Sequence, residues 1–337
     1  RQRAEINPMQ YGTIVHYILE RFFGEYTKEE YLSLEEDKFQ KIVCAYLAEY
    51  AVKYFGEEQL ESNSFTYRLK TILDNVMYLM KHIMEELSQS EFFVADCELK
   101  IGEDIPSYTI VLPDGHKIAV CGSVDRVDIM QRADITYLRI IDYKTGTKQF
   151  KLSDILYGIN LQMLLYLHSI EASGGDKYGE IVPAGILYMP ATVPYISSDS
   201  LKSIDKLPDE LNKKLKMNGL LLKDTEIIHG MDKTDVATYI PVKIKAGEPV
   251  SSTSLATLAE FGKIFKKVDM LIAEMGKNIY NGNIEAKPLK GGHDSCEYCP
   301  YDSVCAYRQS NPITCFSVDN KTVIEEITNE INGKEEE

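Results

Sequence analysis

Residues 121–166 constrain this chain more than any other stretch. They read C-G-S-V-D-R-V-D-I-M, then Y-L-R-I-I-D-Y-K-T-G-T, then G-I-N-L-Q-M-L-L-Y. That is the pattern of two strands followed by a helix. The run 137–145 is rich in β-branched and aromatic residues and stops at Gly146, as a strand stops at a turn. Side chains alternate across a strand, so Asp142 and Lys144 point to one face and Tyr143 to the other. An earlier strand-like run, 118–129, brings in Asp125. Two such strands meeting at their polar ends gather two carboxylates and an ammonium. A hydrophobic core has no use for that grouping. It suits a hard divalent cation held by oxygens, beside a lysine that handles a proton or an oxyanion.

The 337 residues carry 37 Lys and Arg against 52 Asp and Glu, a formal charge of −15. That balance argues against indiscriminate nucleic-acid binding. The acid is concentrated in 25–37 and 322–337, which leaves room for a local basic groove. No apolar run approaches the roughly 18 residues of a membrane span and no signal peptide is recognisable, so no membrane partner is expected. The chain opens at Arg1 without a methionine and reads as a piece cut from something longer. Seven cysteines without a secretory signal point to a reducing, cytoplasmic setting.

In chain order, residues 11–23 read as a helix with Ile14, Ile18 and Phe22 on one stripe and Thr13 as the cap. By itself His16 reads as a hydrogen-bonded core histidine. Two long amphipathic helices are expected over 31–55 and 66–87, a layer packed on a sheet. Residues 91–101 alternate like a strand, and Pro113-Asp-Gly-His116 reads as a hairpin turn. A helix over 153–171 places Gln162 and Tyr166 one turn apart on one face. Residues 184–189 read as a further strand, 191–248 as a mixed elaboration of the sheet edge, and 253–280 as a long helix. Lys263, Lys266, Lys267 and Lys277 of that helix read as a solvated face. Beyond 327 a frayed acidic tail is expected.

Cys44, Cys97 and Cys121 sit in apolar patterns and read as small core residues. Cys296, Cys299 and Cys305 differ, because their C-x2-C-x5-C spacing, with Pro300 after the second, is that of thiolate ligands to iron–sulfur or zinc. Such a site wants a fourth ligand. Cys315 is the nearest thiol, without a spacing rationale.

Taken together, Gly12-x-x-x-His16, Gly122-x-x-Asp125-Arg126, Asp142-Tyr143-Lys144-Thr145-Gly146, Gln162-x-x-x-Tyr166 and the cysteine triplet resemble a known family. It is the C-terminal nuclease domain of AddB/RexB-type subunits of bacterial helicase–nucleases, in the RecB- and Cas4-like branch of the PD-(D/E)XK superfamily. A lone D-x-K is weak, whereas all five motifs in this order are specific. The resemblance implies that His16, Asp125 and Asp142, with the Tyr143 carbonyl, ligate Mg²⁺ or Mn²⁺. It implies that Lys144 orients and helps deprotonate the attacking water, and that Gln162 and Tyr166 hold the scissile strand. Glu98 falls at the edge of such a site. Relatives carry a fourth cluster cysteine upstream of the G-x-x-x-H helix. None precedes Gly12 here, so that thiol is expected before Arg1 and a [4Fe–4S] cluster is expected to be incomplete in this chain. In the parent, the cluster would pin the two ends of the domain together.

The expected fold is α/β, a restriction-endonuclease-like mixed sheet flanked by helices. It divides into a helical layer (1–90), a nuclease core (91–190), a sheet elaboration with a long helix (191–290), a cysteine segment (291–318) and an acidic tail (319–337). The expected function is metal-dependent hydrolysis of DNA, mostly single-stranded at ends, leaving a 5′-phosphate and a 3′-hydroxyl. The setting is a two-subunit helicase–nuclease that processes double-strand breaks for recombination. No G-x-x-x-x-G-K-[ST] loop is present, so ATP-driven unwinding falls to the partner subunit. The rivals are a stand-alone Cas4-like nuclease, a catalytically silent DNA-binding or scaffolding module, and a zinc-stabilised interaction domain with accidental carboxylates.

Overall fold

The computed structural model describes residues 6–146, 149–194, 207–251, 253–305 and 312–335. The first third is helical: α1 (Pro8–Glu25), α2 (Lys28–Leu32), α3 (Glu36–Phe55), α4 (Glu57–Leu60) and α5 (Asn63–Ser88). Asn7 caps α1, accepting from the Gln10 N–H while the Gln10 side chain accepts from the Asn7 N–H, with Pro8 at the first helical position. The cap is therefore upstream of Thr13, which lies inside the helix and donates to the Met9 carbonyl. Ile14, Ile18 and Phe22 are fully buried, as their stripe requires. The helix expected over 31–55 is interrupted, because Thr27 caps the short α2 with Glu30 and the next helix begins only at Glu36.

β1 (Phe93–Ile101) follows, then β2 (Tyr108–Val111) and β3 (Lys117–Val120), an antiparallel hairpin across Pro113-Asp-Gly-His116. β4 (Gly122–Arg132) and β5 (Ile135–Lys144) come next. The run 118–129, expected as one strand, is thus two, with Cys121 at the junction where the chain leaves the hairpin and enters the main sheet. From β5 the chain crosses through a 3₁₀ turn (Leu152–Tyr157), α6 (Gln162–Ser173) and α7 (Gly175–Tyr178) to β6 (Glu180–Pro190), which is parallel to β5. The single helix expected over 153–171 is broken by Gly158, which takes the left-handed conformation at φ 69° and ψ 25°.

Beyond β6 come α8 (Leu207–Leu215), β7 (Asn218–Leu222), α9 (Thr225–Met231), the small hairpin β8 (Lys243–Lys245) and β9 (Glu248–Val250), β10 (Leu255–Ala256) and α10 (Leu258–Tyr280). The main sheet has six strands in the order β1-β4-β5-β6-β7-β10. It is mixed: β5 and β6 run parallel, as do β7 and β10, and the other neighbours run antiparallel. The fold class is therefore the one expected, and the 191–248 segment contributes β7 to this sheet.

The chain ends with β11 (Leu289–Gly291), α11 (Asp302–Cys305), β12 (Ile313–Cys315) and α12 (Asn320–Glu335). The expectation of a frayed tail is overturned by α12, whose Val323, Ile327 and Ile331 are buried and which packs on α10. Its many glutamates mask an i, i+4 apolar stripe. Lys267 is likewise not on a solvated face but 6 % exposed, its Nζ 2.5 Å from Glu330 Oε2 of α12. Cys44 and Cys121 are exposed and Cys97 is half-buried, so these are not core fillers. Among the described residues no helix is long and apolar enough to cross a membrane.

Under the sheet lies a charged group that no motif announces. Arg126 and Arg139 are fully buried, with Asp128 and, from α5, Glu86. Arg126 grips Asp128 with two bonds, of 2.7 and 2.6 Å, and reaches Glu86 at 3.1 Å. Arg139 donates to Asp128 at 3.0 and 2.8 Å and to Glu86 at 2.6 Å. Burial alone would raise the Asp128 pKa, but the two guanidiniums outweigh it and hold the carboxyl below its ordinary value. Two cations and two anions close on each other without water, locking α5 to β4 and β5. Arg139→Met leaves Asp128 and Glu86 facing only Arg126, and a loss of about 3–5 kcal/mol is expected. Urea unfolding measures it; a loss under about 1 kcal/mol would show that the network is dispensable.

Candidate active site

The alternation of β4 and β5 sets the site. Arg126 and Tyr143 turn toward the buried network, with the Tyr143 hydroxyl 3.5 Å from Arg126 Nη1. Their neighbours Asp125, Asp142 and Lys144 turn away from it. Asp125 Oδ2 accepts the Tyr143 N–H at 2.9 Å, so the two strands are tied at the point where the carboxylates emerge. Lys144 Nζ lies 2.5 Å from Asp142 Oδ2. That contact has the distance of an ion pair but not the direction of a hydrogen bond. Among the described residues, then, no hydrogen-bond donor saturates this buried carboxylate oxygen.

From α1, His16 completes the group. Its Nδ1 lies 2.9 Å from Glu98 Oε1 and its Nε2 lies 3.7 Å from Asp125 Oδ2. The ring meets Tyr143 edge-on, with centroids 5.7 Å apart. Glu98 also accepts from Ser123 Oγ at 2.9 Å. His16, Glu98 and Asp125 present ligand atoms within 4.8 Å of one another, the one such group of His, Cys, Asp or Glu among the described residues. Glu98, expected at the edge of the site, stands in its middle. It lies on β1, which pairs with the strand of Asp125, and its backbone holds φ at 51°, a left-handed value that costs a non-glycine residue energy. Ser123 carries no signal in the sequence beyond its place inside the G-x-x-D motif.

Tyr166 borders this group through Gly122. A Cβ on Gly122 would fall 2.2 Å from the Tyr166 hydroxyl oxygen, so the absence of a side chain there lets the ring lie against the strand beside Ser123. Gln162 opens α6, is exposed, and makes no side-chain hydrogen bond among the described residues. Gly12 faces the methyl of Thr145, 3.7 Å from where its Cβ would be, which joins the first motif to the end of β5. The cysteines lie elsewhere. Cys299 N–H donates to the Cys296 carbonyl in a turn, Cys305 ends α11, and Cys315 is buried on β12.

An open cleft of about 700 Å³ runs over the site, lined by Gly12, His16, Glu98, Ser123, Lys144 and Thr145 among others. Asp125 and Asp142, with side chains 16 % and 7 % exposed, stand behind that wall. A larger cleft of about 950 Å³ beside Tyr26, Lys28 and Ser90 contains no comparable ligand group among the described residues.

The electrostatics are those of a site short of positive charge. Burial, with help from the Asp142 and Glu98 charges, pushes the Asp125 carboxyl up to about 6 against the pull of His16. Burial lowers the His16 pKa, but the Glu98 hydrogen bond and the charges of Asp125, Glu98 and Asp142 outweigh it, and the net shift is upward. Its bond from His16, foremost, and that from Ser123 hold Glu98 below its ordinary value. Buried carboxylates that repel one another, beside an unsaturated carboxylate oxygen and an imidazole, fit a hard divalent cation.

This mixed sheet, with an acidic group and a lysine at the ends of two neighbouring strands, defines a metal-dependent nuclease site of the PD-(D/E)XK type. The chain belongs to the PD-(D/E)XK nuclease superfamily, which it matches over residues 1–306. It is 34 % identical over 319 residues to the AddB-type subunit of the ATP-dependent helicase/deoxyribonuclease of Thermoanaerobacter sp. (strain X514), covering 91 % of this chain and 27 % of that protein. The protein of the same name from Alkaliphilus oremlandii is 32 % identical, covering 98 % of this chain and 30 % of its own length. That from Clostridium kluyveri is 33 % identical over 100 % of this chain and 30 % of its own length. The chain thus spans less than a third of the curated relatives it matches.

A carboxyl whose folded pKa is raised weakens the fold once ionised. For Asp125, the cost is absent below its ordinary 3.8, where both states are protonated, and complete above about 6. It is on the order of 2–3 kcal/mol, and a bound cation offsets it. Mn²⁺ is therefore expected to raise the melting midpoint by several degrees at pH 7.5 and hardly at pH 5. Asp125→Asn should raise the metal-free midpoint at pH 7.5 and remove the Mn²⁺ response. Equal Mn²⁺ shifts at both pH values would refute this account of the site.

Proposed function

We propose that this chain hydrolyses DNA phosphodiesters with a divalent cation, Mg²⁺ or Mn²⁺, held by His16, Asp125 and Asp142. One observation carries the reading: the His16–Glu98–Asp125 group and the Asp142–Lys144 pair meet at one open cleft. Glu98, by accepting from Nδ1, fixes the tautomer of His16 and turns its Nε2 toward Asp125. The Tyr143 N–H holds Asp125 in place, and the Tyr143 carbonyl is a further candidate ligand. Bound there, the cation supplies Lewis acidity toward a phosphoryl oxygen and acidifies its water ligand.

Lys144 acts on the attacking water and on the charge that develops at phosphorus. Its ammonium, kept near Asp142, is a donor for a non-bridging phosphate oxygen and orients the nucleophile for in-line attack. The products are a 5′-phosphate and a 3′-hydroxyl. Tyr166, against Gly122, and Gln162, exposed at the start of α6, flank the path of the scissile strand. The names of the relatives support a setting in a cytoplasmic helicase–nuclease acting at DNA ends, with a partner subunit that unwinds. The turn joining Cys296 and Cys299, followed by Cys305, supports thiolate ligation of an iron–sulfur cluster completed by a ligand from elsewhere.

Digestion of end-labelled single-stranded DNA with Mg²⁺ or Mn²⁺ tests the proposal. Asp142→Ala and Lys144→Ala should each lower the rate at least about 10²-fold. Lys144→Ala should still bind Mn²⁺ by calorimetry, whereas Asp142→Ala should not. Cleavage that survives both substitutions, or a wild type that neither cuts nor binds Mn²⁺, would overturn the assignment.

A further inference from the structure

One wall of the cleft is aromatic. Tyr17 follows His16 on α1, and Tyr50 and Tyr54 stand one turn apart on α3; all three line the same cleft as His16, Glu98 and Lys144. The rings form a series, with Tyr17 and Tyr50 centroids 5.2 Å apart and Tyr50 and Tyr54 centroids 4.4 Å apart at 35°. Exposure rises along it. Tyr50 is 5 % exposed and Tyr54 is 56 % exposed. Tyr17 is anchored by its hydroxyl, which donates to Glu49 Oε1 at 2.7 Å. Lys53 places its ammonium 5.2 Å from the Tyr54 centroid.

We infer that Tyr54, backed by Tyr50 and Tyr17, is a stacking platform for an unpaired base of the DNA strand whose backbone crosses the His16–Lys144 site. This rests on the reading that the cleft takes DNA, and it adds what selects the strand. Packing explains Tyr50, which is buried, but gives Tyr54 no reason to present its ring in a cleft otherwise lined by charged and polar groups. A base supplies the missing partner, since every base has a π-face. Lys53 meets the phosphate of the stacked nucleotide. In a duplex the bases are paired and stacked on one another, so the platform favours single strands without reading sequence.

The chain contains no tryptophan, so Tyr54→Trp installs a single fluorophore at the platform. With Ca²⁺ in place of Mg²⁺, binding is read by fluorescence and anisotropy without requiring cleavage. Short oligothymidylate is expected to quench the emission of that indole by about half, and an abasic strand of equal length to leave it nearly unchanged. Tyr54→Leu, which keeps an apolar contact with Tyr50, should weaken oligothymidylate binding roughly 5- to 100-fold, and Tyr54→Phe by less than about twofold. Equal quenching by the abasic strand, no quenching, or wild-type affinity in a folded Tyr54→Leu protein would overturn the platform. The two readings separate cleanly. If Tyr54→Trp is quenched and wild type binds but never cuts with Mg²⁺ or Mn²⁺, the hydrolysis falls and the platform stands. A wild type that cuts while Tyr54→Leu binds normally sinks the platform alone.

Discussion

The ion network of Arg126, Arg139, Asp128 and Glu86 is the constraint on which the rest of the structure depends. Its members are buried completely, so each charge must find its partners in one register or the fold is penalised by several kcal/mol. Asp128 lies opposite Arg139 across the β4–β5 ladder, and Arg126 lies opposite Ile141. A slip of one residue would turn every one of these side chains to the other face. The same slip would carry Asp125, Asp142 and Lys144 away from His16. The network therefore sets the direction of the site's side chains, although it touches no reacting group.

This explains why Asp125 and Arg126 stand side by side in sequence and do unrelated things. Arg126 is satisfied by two carboxylates and packs over Phe23, with its guanidinium 6.0 Å from that ring centroid. Asp125 has a backbone N–H and a histidine, and is otherwise surrounded by like charge. One strand thus carries a fully compensated face and an under-compensated one. The compensated face supplies rigidity, and the other supplies affinity for a cation.

Much of this is legible in the residues, and what is not shares a cause. Strand alternation alone places Asp142 with Lys144 and opposite Tyr143, because that rule needs only a period of two. Gly122 and Tyr166 are visible as motif positions, but their contact is not, since it depends on how closely α6 approaches β4. Glu86, Asp128 and Arg139 read as ordinary surface charges, because a linear sequence does not show that they meet Arg126 and one another. The glutamates of α12 conceal its apolar stripe, and Gly158 interrupts a helix whose periodicity looks continuous. Glu98 is underweighted for a related reason. Its part is set by the β1–β4 pairing that brings it to Ser123 and His16, and nothing adjacent in sequence announces it.

The charge count at the site connects these points to chemistry. Glu98, Asp125 and Asp142 bring three negative charges when ionised, and Lys144 brings one positive charge, leaving two to be balanced if His16 is neutral. In the metal-free protein, protons supply part of that balance. The upward shifts of both His16 and Asp125 are the signature of a site that draws protons for want of a better cation. A divalent ion brings the full two charges and frees His16 Nε2 to act as a ligand. Proton and metal thus compete to offset one charge deficit, maintained by a sheet register that a separate, neutral ion network enforces.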